Sequence, residues 1–535
     1  MRQFTQLFTE LDATTRTVEK VAALESYFTA VDPRDAAWAL YFLVGRKVKR
    51  AVNTRLLREW VADETGLPLW LVEDSYDAVG DFAETLALLL TDHSTSSDSP
   101  LHQLVEERLL PLTQLAPAEQ HELIVRTWRE LDARQRLVWH KLIMGEFRIG
   151  VARTLVVKAL AVVAGVPAAE MAHRVMGHWQ PTSEDYAQLL SGASAKATPG
   201  RPYPFFLAHP LEVSLVELGK IDAWQAEWKW DGIRAQLIRR QGEVLVWSRG
   251  EDLVTDRFPE VAEVGRLLSD GVVLDGEILA WRDELPLSFA VLQKRIGRKT
   301  VGTKLRDDAP VVFMAYDLLE RDGVDLRARS LDDRRNSLES IARGIHSDFP
   351  FRVSPVVAAQ SWEELASLHV EARSRGVEGL MLKRRASEYG VGRPKGVWWK
   401  WKTAPLAIDA VLIYAQRGHG RRASLYTDYT FGVWHDGKLV PIAKAYSGLT
   451  DAEIQQVDRF VRQHTQGKFG PVRVVEPQLV FELHFEGIQI SSRHKAGLAV
   501  RFPRMARWRQ DKRPADADTL ESLRALAQTA WSHAS

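Results

Sequence analysis

The spacing of apolar residues divides the chain into three stretches of different predicted structure. Before residue 200, apolar residues recur every three or four positions, which predicts amphipathic helices. Examples are Thr17–Phe28, Phe82–Leu90, Leu101–Leu110 and Ala118–Leu131. A stretch over 193–204 that holds Gly200, Pro202 and Pro204 predicts a domain boundary. We therefore expect an all-α N-terminal domain over residues 1–200.

From residue 201 to residue 405, short apolar or alternating runs bounded by turn residues predict strands. These runs are Ala235–Ile238, Glu243–Ser248, Val272–Ala280, Val311–Leu318 and Gly379–Lys383. Helical spacing over Leu331–Ala342 and Trp362–Arg375 falls between them. Asp275-Gly276 is interpreted as a turn within an apolar strand, which puts Glu277 just past that turn. The pattern predicts an α+β domain with charged residues at its strand ends.

The last stretch, residues 406–535, again predicts β structure. Ile408–Ala415 is one strand, and Leu479–Ile490 is one alternating run. Asp436-Gly437, between Thr430–Trp434 and Leu439–Ala443, predicts a hairpin. About five strands in roughly 130 residues favour a small β-barrel of the OB-fold type.

Composition narrows the classes of function. The chain has 535 residues and no cysteine, which excludes disulfides, cysteine nucleophiles and cysteine-ligated zinc. Its sequence contains no run of about 18 or more apolar residues, so we expect no membrane span. The first ten residues lack the apolar stretch of a signal peptide. We expect a cytoplasmic protein, bacterial or archaeal.

The formal net charge of +1 hides uneven basic clusters. Basic patches on a near-neutral protein favour a polyanion that lies across selected faces, although any single patch is also typical of an ordinary solvated face. The clusters are Arg46, Lys47, Lys49 and Arg50; Arg417, Arg421 and Arg422; and the basic residues from Arg501 to Arg513.

Residues 227–234, Glu-Trp-Lys-Trp-Asp-Gly-Ile-Arg, contain the first candidate for chemistry. A lysine amine such as that of Lys229 acts as a nucleophile when its surroundings keep it partly deprotonated. Alone, this short motif is more typical of a solvated strand end before a turn. Further charged motifs follow it in order: Ser248-Arg249-Gly250, Asp275-Gly276-Glu277, Tyr316-Asp317, Val377-Glu378-Gly379, Trp399-Lys400-Trp401-Lys402 and Arg501-Phe502-Pro503-Arg504.

This order of motifs resembles the covalent nucleotidyltransferase superfamily, and within it the ATP-dependent DNA ligases. All six collinear motifs of the superfamily are present. The segments Leu11–Thr15 and Gly145–Val151 resemble the helical DNA-binding domain that precedes the catalytic core in many such ligases. The resemblance covers essentially the whole chain. It implies a DNA ligase that seals a nick between a 3′-hydroxyl and a 5′-phosphate.

The resemblance also implies roles for the residues near the phosphates. Lys229 is expected to attack the α-phosphorus of ATP and form a lysyl-adenylate. Lys400 and Lys402 are expected to contact the α-phosphate, and Asp231 to share in orienting the lysine or a metal. Glu378, with Glu277 as a weaker second, is the expected carboxylate for Mg²⁺, or for Mn²⁺ in its place.

The remaining nucleotide contacts follow from the same resemblance. Glu227 is expected at the adenine edge, Tyr316 against the adenine face and Glu277 at the ribose hydroxyls. Arg234 and Arg249 are candidates for the ribose and for the 5′-phosphate of the nick. Arg501 is expected to reach the β- and γ-phosphates.

The expected partner is nicked duplex DNA, bound by a monomer with no membrane contact. Phosphate contacts are expected from Arg46, Lys47, Lys49, Arg50, Arg148, Arg153, Arg249, Arg417, Arg421 and Arg422. An RNA ligase or another nucleotidyltransferase is a second interpretation, and a catalytically silent DNA-binding protein is a third. The NAD⁺-dependent ligases are disfavoured because they use a four-cysteine zinc module.

Overall fold

A computed structural model describes the chain over residues 1–50, 52–79, 81–90, 97–145, 147, 149–177, 179–191, 200–298, 300–418, 424–491 and 494–531. The chain forms two compact units. The first comprises Met1–Ala168, Trp179–Ser191 and Pro405–Ala525, and the second comprises Ala169–His178, Gly192–Ala404 and Leu526–Ser535. The boundaries expected at residues 200 and 405 stay a prediction.

The N-terminal region is helical, as predicted. Its helices are α1 Arg2–Ala13, α2 Thr17–Ala30, α3 Pro33–Leu43, α4 Thr54–Thr65, α5 Leu69–Val79, α6 Phe82–Leu89, α7 Leu101–Leu104, α8 Pro117–Glu130, α9 Ala133–Ile143, α10 Arg153–Ala164, α11 Ala168–Val175 and α12 Ser183–Ser191. A π-helical turn, Val105–Leu109, continues α7.

Several of these helices begin where a polar side chain caps the first turn. Asp32 and Asn53 each accept a hydrogen bond from the backbone N–H two residues later. Asp81 and Asp132 accept from the N–H three residues later. Such caps satisfy donors that the first turn leaves open, so the helix starts follow from local sequence.

The central region is α+β, as predicted, and contains two sheets. The smaller sheet has the order β1-β11-β10-β2 and the larger has the order β4-β3-β5-β7-β8, with two further short strands on β5 and β7. The strands are β1 His209–Pro210, β2 Trp224–Trp228, β3 Ile233–Arg240, β4 Glu243–Ser248, β5 Val272–Arg282, β6 Leu285–Pro286, β7 Val311–Arg321, β8 Val324–Asp325, β9 Phe351–Val353, β10 Gly379–Arg384 and β11 Trp398–Lys402. The helices are α13 Pro259–Leu267, α14 Phe289–Ile296, α15 Thr303–Asp308, α16 Leu331–Ala342 and α17 Trp362–Val370.

Each sheet has two unlike faces, because successive side chains on a strand point in opposite directions. One face of the smaller sheet carries Trp224, Leu380, Leu382 and Trp399 and packs in a core with Leu365 of α17. The outer face of the larger sheet packs on α13, α14 and α16. A third core joins the facing sides of the two sheets. The residues of that third core include Phe206, Ile238, Val273, Leu319, Tyr389 and Trp398.

Two predictions for the central region are wrong in detail. Asp275-Gly276 is not a turn, because β5 runs unbroken from Val272 to Arg282 and places Glu277 in mid-strand. Gly276 is needed there for packing, since a Cβ atom would lie 2.7 Å from the carbonyl oxygen of Met314. Helix α17 ends at Val370 rather than Arg375, and turns follow it.

The C-terminal region is β-rich, as the predicted fold class requires. Its elements are β12 Leu406–Arg417, β13 Tyr426–His435, β14 Lys438–Ala445, α18 Asp451–Gln463, β15 Thr465–Phe469, β16 Val472–Val475, β17 Val480–Phe485, β18 Gly487–Ile490, β19 Leu498–Arg501, β20 Arg504–Trp508 and α19 Leu520–Trp531. The long strand β12 pairs antiparallel with β13, β16 and β17. The hairpin at Asp436-Gly437 forms as predicted.

Two features of this region differ from the sequence expectation. The run Leu479–Ile490 is two strands, because the chain leaves β17 at Phe485 and pairs as β18 with β19. Helices α18 and α19 were not predicted. In the described residues no single helix is long and apolar enough to cross a membrane, and one bent pair, α10 with α11, passes that test by length and composition only.

Candidate functional site

Lys229 and Glu378 lie side by side although 149 positions separate them in the sequence. The backbone N–H of Lys229 donates to the carbonyl of Gly379, and the N–H of Glu378 donates to the carbonyl of Lys229, both at 2.8 Å. These bonds extend the β2–β10 pairing, in which Glu227 faces Met381. The sheet register therefore brings the predicted nucleophile to the predicted metal carboxylate.

The side chains of this pair form an ion pair that a second lysine approaches. Lys229 Nζ lies 2.5 Å from Glu378 Oε2, and both side chains are 21% exposed. Lys402 Nζ lies 3.6 Å from the same oxygen. Lys400 is on the same face of β11, two residues earlier, opposite Met381. The partly open site thus gathers lysine ammonium groups around one carboxylate, which suits an anionic phosphate.

Gly379 permits this arrangement through a close approach of two backbones. Its φ is +134°, and a Cβ atom there would lie 2.1 Å from the carbonyl oxygen of Trp401. Trp401 stands between Lys400 and Lys402 on β11. The absence of a side chain at Gly379 therefore sets the distance between Glu378 and the two lysines.

Glu277 is half-buried on β5 and faces the same space between the sheets. Burial raises the pKa of Glu277 to about 8, and the positive charges of Lys229 and Arg234 oppose that rise. The negative charges of Asp275 and Glu378 add to it. Glu277 is therefore a carboxyl group at which small changes of surroundings alter the protonation near neutral pH.

Arg234 is held by neighbours within the central domain. Its guanidinium donates to both oxygens of Asp275, at 3.2 and 2.7 Å, and to the carbonyl of Phe206 at 2.6 Å. Asp275 also accepts from the hydroxyl of Tyr389 at 2.7 Å. The expected contact of Arg234 with the ribose or the nick phosphate stays a prediction, and these contacts give the side chain an additional structural role.

Glu227 and Tyr316, the predicted adenine contacts, are joined by a residue that sequence reasoning missed. Lys383 Nζ donates to Glu227 Oε1 at 2.7 Å and lies 4.4 Å from the centroid of the Tyr316 ring. Lys383 ends the predicted strand Gly379–Lys383, and a lysine closing an apolar strand is the signal that could have identified it.

The carboxylates fit a metal ion only together with groups from outside the chain. Among the residues that the structure describes, no group of three or more His, Cys, Asp or Glu side chains could hold a metal ion. Glu277 and Glu378 are close enough for their charges to interact. Mg²⁺ uses few carboxylates and completes its shell with waters and substrate phosphates, so this pair fits that pattern.

The other predicted nucleotide contacts are placed differently. Arg249 is exposed directly after β4, and Asp231 is half-buried in the turn after Lys229. Arg501 belongs to the other compact unit, at the end of β19, where its guanidinium lies 5.7 Å from the Phe502 ring. The roles expected for these three residues stay predictions.

The predicted DNA contacts in the first unit fall into two groups. Lys47, Lys49 and Arg50 are exposed. Arg46 is half-buried and donates to the carbonyl of Trp179 at 2.9 Å, and burial lowers the pKa of Arg153 to about 10. Arg417 is half-buried at the end of β12. Three further residues of this prediction lie outside the described residues, namely Arg148, Arg421 and Arg422.

Comparison with known proteins finds matches along the three regions. Residues 206–402 match the family model described as ATP dependent DNA ligase domain, residues 1–161 match DNA ligase N terminus, and residues 422–512 match ATP dependent DNA ligase C terminal region.

Curated relatives match over nearly the full length. A probable DNA ligase of Koribacter versatilis is 33% identical, over 97% of this chain and 95% of the relative. A DNA ligase of Methanothrix thermoacetophila is 28% identical, over 97% of both chains. A solved structure described as Pmar-Lig_Pre covers 95% of this chain and 99% of its own, with a TM-score of 0.62 at 16% identity, which shows a shared fold.

Proposed function

Because this chain belongs to the family of ATP-dependent DNA ligases, we propose that Lys229 is the nucleophile that attacks the α-phosphorus of ATP. The observation that carries this proposal is the contact of Lys229 Nζ with Glu378 Oε2 at 2.5 Å, with Lys402 3.6 Å from the same oxygen. Attack by the lysine nitrogen forms a phosphorus–nitrogen bond and releases pyrophosphate. The product is a lysyl-adenylate on the enzyme.

Two further transfers complete the reaction. The 5′-phosphate at a nick attacks the lysyl-adenylate, which frees Lys229 and gives a DNA-adenylate. The 3′-hydroxyl then attacks the activated phosphate, AMP leaves, and the strand is sealed. All three steps are phosphoryl transfers, in which positioning and charge stabilisation dominate.

We assign the positioning of the phosphates to the basic side chains of the site. Lys400 and Lys402, which share one face of β11, contact the α-phosphate and offset the charge that develops in the transition state. Asp231 helps to orient Lys229. Arg501 contacts the β- and γ-phosphates during the first step only.

Glu378 and Glu277 are the side chains that would hold Mg²⁺, or Mn²⁺ in its place. A bound divalent cation supplies positive charge at the phosphate oxygens. The carboxylates of this chain hold the position for that charge, and Glu378 also orients Lys229 through its hydrogen bond.

The nucleoside binds in the space between the two sheets, where three side chains recognise it. Glu227 accepts from the adenine edge, Tyr316 stacks on the base, and Glu277 accepts from the ribose hydroxyls. Arg249, which is exposed, contacts the 5′-phosphate of the nick, with Arg234 as a second candidate.

The substrate is nicked duplex DNA, bound by a monomer in the cytoplasm. Exposed lysine and arginine side chains supply phosphate contacts, which are independent of base sequence. A nick has no required sequence, so no base contact is needed. Such sequence-independent binding suits a ligase that acts at any nick.

Labelling with α-labelled ATP tests the proposal. The protein is first treated with pyrophosphate to remove any bound AMP, then incubated with labelled ATP and Mg²⁺ and denatured. We expect label on the wild-type chain and none on Lys229→Ala. Lys438→Ala, which removes an exposed lysine at the start of β14, is expected to label like the wild type.

Label on Lys229→Ala equal to that of the wild type would show that another residue is the nucleophile. Adding nicked duplex DNA to labelled enzyme then tests the acceptor. We expect AMP to be transferred to the nicked DNA strand, and to be transferred more slowly to the same nick made of RNA. The reverse order would favour an RNA ligase.

A further inference from the structure

Lys383 is a buried charge in the nucleotide site that the reaction above does not use. It stands on β10 opposite Gln225 of β2, two pairs away from Glu227 and Met381 and on the same face of the sheet. The side chains of Lys383 and Glu227 are each 2% exposed, and they form an ion pair at 2.7 Å. Burying two charges is costly unless their mutual attraction and further hydrogen bonds offset the loss of solvation.

The ammonium group of Lys383 also contacts two aromatic rings. It lies 4.4 Å from the centroid of Tyr316 and 4.8 Å from the centroid of Trp398. Trp398 is 1% exposed, so these contacts are shielded from water. Desolvated cation–π contacts hold a ring in place more firmly than exposed ones. One ammonium group therefore contacts both Glu227 and Tyr316, the two side chains proposed to recognise adenine.

The same cluster leaves acceptor atoms open. Both described hydrogen bonds of the Glu227 carboxylate end on Oε1, from Lys383 at 2.7 Å and from Gln225 at 2.8 Å. Among the described residues, Oε1 of Gln225 is buried without a partner, and neither of those two hydrogen bonds of Glu227 uses its Oε2. Buried acceptors normally find donors, and the exocyclic amino group of adenine is a donor.

We propose that Lys383 is a positioning residue that makes the site select a purine with a 6-amino group. It fixes Glu227 through Oε1 so that Oε2 faces the amino group, and it holds the Tyr316 ring for stacking. This inference rests on the proposed function, because it takes Lys229 adenylylation as its readout. A site with oriented buried acceptors rejects a ligand that lacks the matching donor.

The test compares ATP with purine riboside 5′-triphosphate, which lacks only the 6-amino group. Single-turnover adenylylation of Lys229 is measured with both nucleotides for the wild type, Lys383→Met, Glu227→Leu and the double variant. We expect the wild type to prefer ATP and the preference in kcat/KM to fall roughly 10- to 100-fold in Lys383→Met. The double variant should lose no more preference than Glu227→Leu alone, because both changes remove one interaction.

Two controls separate positioning from folding. Urea unfolding of Lys383→Met should show a cooperative transition, as the wild type does, so that a change of preference cannot be ascribed to loss of the fold. Lys141→Met removes a lysine paired with Asp81 at 2.8 Å in the first unit, and its preference for ATP should match the wild type.

Three outcomes would overturn the inference. An unchanged preference in Lys383→Met would do so, as would additive losses in the double variant. Equal loss of adenylylation with both nucleotides, together with loss of the cooperative unfolding transition, would assign Lys383 a structural role only. A wild-type chain that takes no label from either nucleotide would instead contradict the proposed function.

Discussion

At the scale of single residues, Glu277 is a carboxyl group whose pKa the folded chain raises strongly. Its ordinary pKa of 4.5 rises to about 8, chiefly through burial. Between these two pH values the folded chain binds a proton that the unfolded chain releases. The stability that Glu277 contributes is therefore fully present below about pH 4.5 and is lost as the pH rises through about 8.

Replacing Glu277 with Gln tests whether the stability that Glu277 contributes falls as the pH rises. We expect the difference in unfolding free energy, wild type minus Glu277→Gln, to fall from pH 5 to pH 8. The slope is at most about 1.4 kcal/mol per pH unit. Urea unfolding of both proteins at several pH values measures it.

Glu217→Gln is the matched control. A hydrogen bond from Ser214 lowers the pKa of Glu217 below its ordinary 4.5, so that residue stays ionised between pH 5 and pH 8. Its difference from the wild type should be constant over this range. A constant difference for Glu277→Gln as well would contradict the raised pKa.

At the scale of elements, the register of β2, β10 and β11 assembles the site. At Gly379 the backbone of β10 lies close to that of β11, with a positive φ and no space for a Cβ atom. The same residue accepts the backbone hydrogen bond of Lys229. One glycine therefore couples the packing of two strands to the position of the nucleophile.

Gly379→Ala should destabilise the central domain and slow adenylylation. The added methyl group meets the Trp401 carbonyl oxygen at 2.1 Å, so β11 must move. We expect a loss of about 3 kcal/mol or more in unfolding free energy. Urea unfolding and labelling at saturating ATP measure the two effects.

Gly396→Ala provides the comparison at a second left-handed glycine. Gly396 has a φ of +86°, and no atom lies within 4 Å of the position that an added methyl group would take. Only backbone strain of about 1–2 kcal/mol is therefore expected there. Equal effects of the two substitutions would show that the contact with Trp401 is unimportant.

At the scale of the whole molecule, the proposed DNA contacts Lys47, Lys49 and Arg50 and the proposed adenylation site lie in different compact units. Lys47, Lys49 and Arg50 are exposed in the first unit, whereas Lys229 and Glu378 belong to the second. Adenylylation by ATP needs no DNA. DNA binding and adenylylation by ATP should therefore respond independently to substitution.

Changing Lys47, Lys49 and Arg50 together to Ala should weaken DNA binding without altering Lys229 labelling. Each lost phosphate contact reduces the slope of log K against log salt concentration by about 0.9, so a total of about 2–3 is expected. Binding of a nicked duplex at several salt concentrations measures the slope.

The control variant replaces a different set of three exposed basic residues in the same unit, all of them arginines. Arg16, Arg55 and Arg129 are each paired with a glutamate, at 3.0, 2.8 and 2.8 Å. Their replacement by Ala should leave the slope nearly unchanged. Equal slopes for both triple variants would contradict the proposed DNA surface.

The sequence by itself determined the class of each region and the order of the motifs. Helical spacing before residue 200, alternation in Trp399–Lys402 and the hairpin at Asp436-Gly437 are local patterns, and the structure reproduces all three. They could be predicted because helix caps, strand alternation and turn residues act over a few positions.

Only the tertiary structure decided which charged side chains lie in contact with one another. The partners of Lys229 and of Lys383 are 149 and 156 positions away, and Arg234 is held by Asp275 from a neighbouring strand. Burial is likewise a property of the packed chain, so the raised pKa of Glu277 had no local signal. The break in Leu479–Ile490 arises because β18 pairs with β19 rather than continuing β17. Strand pairing and desolvation depend on residues remote in sequence, which is why local patterns left them open.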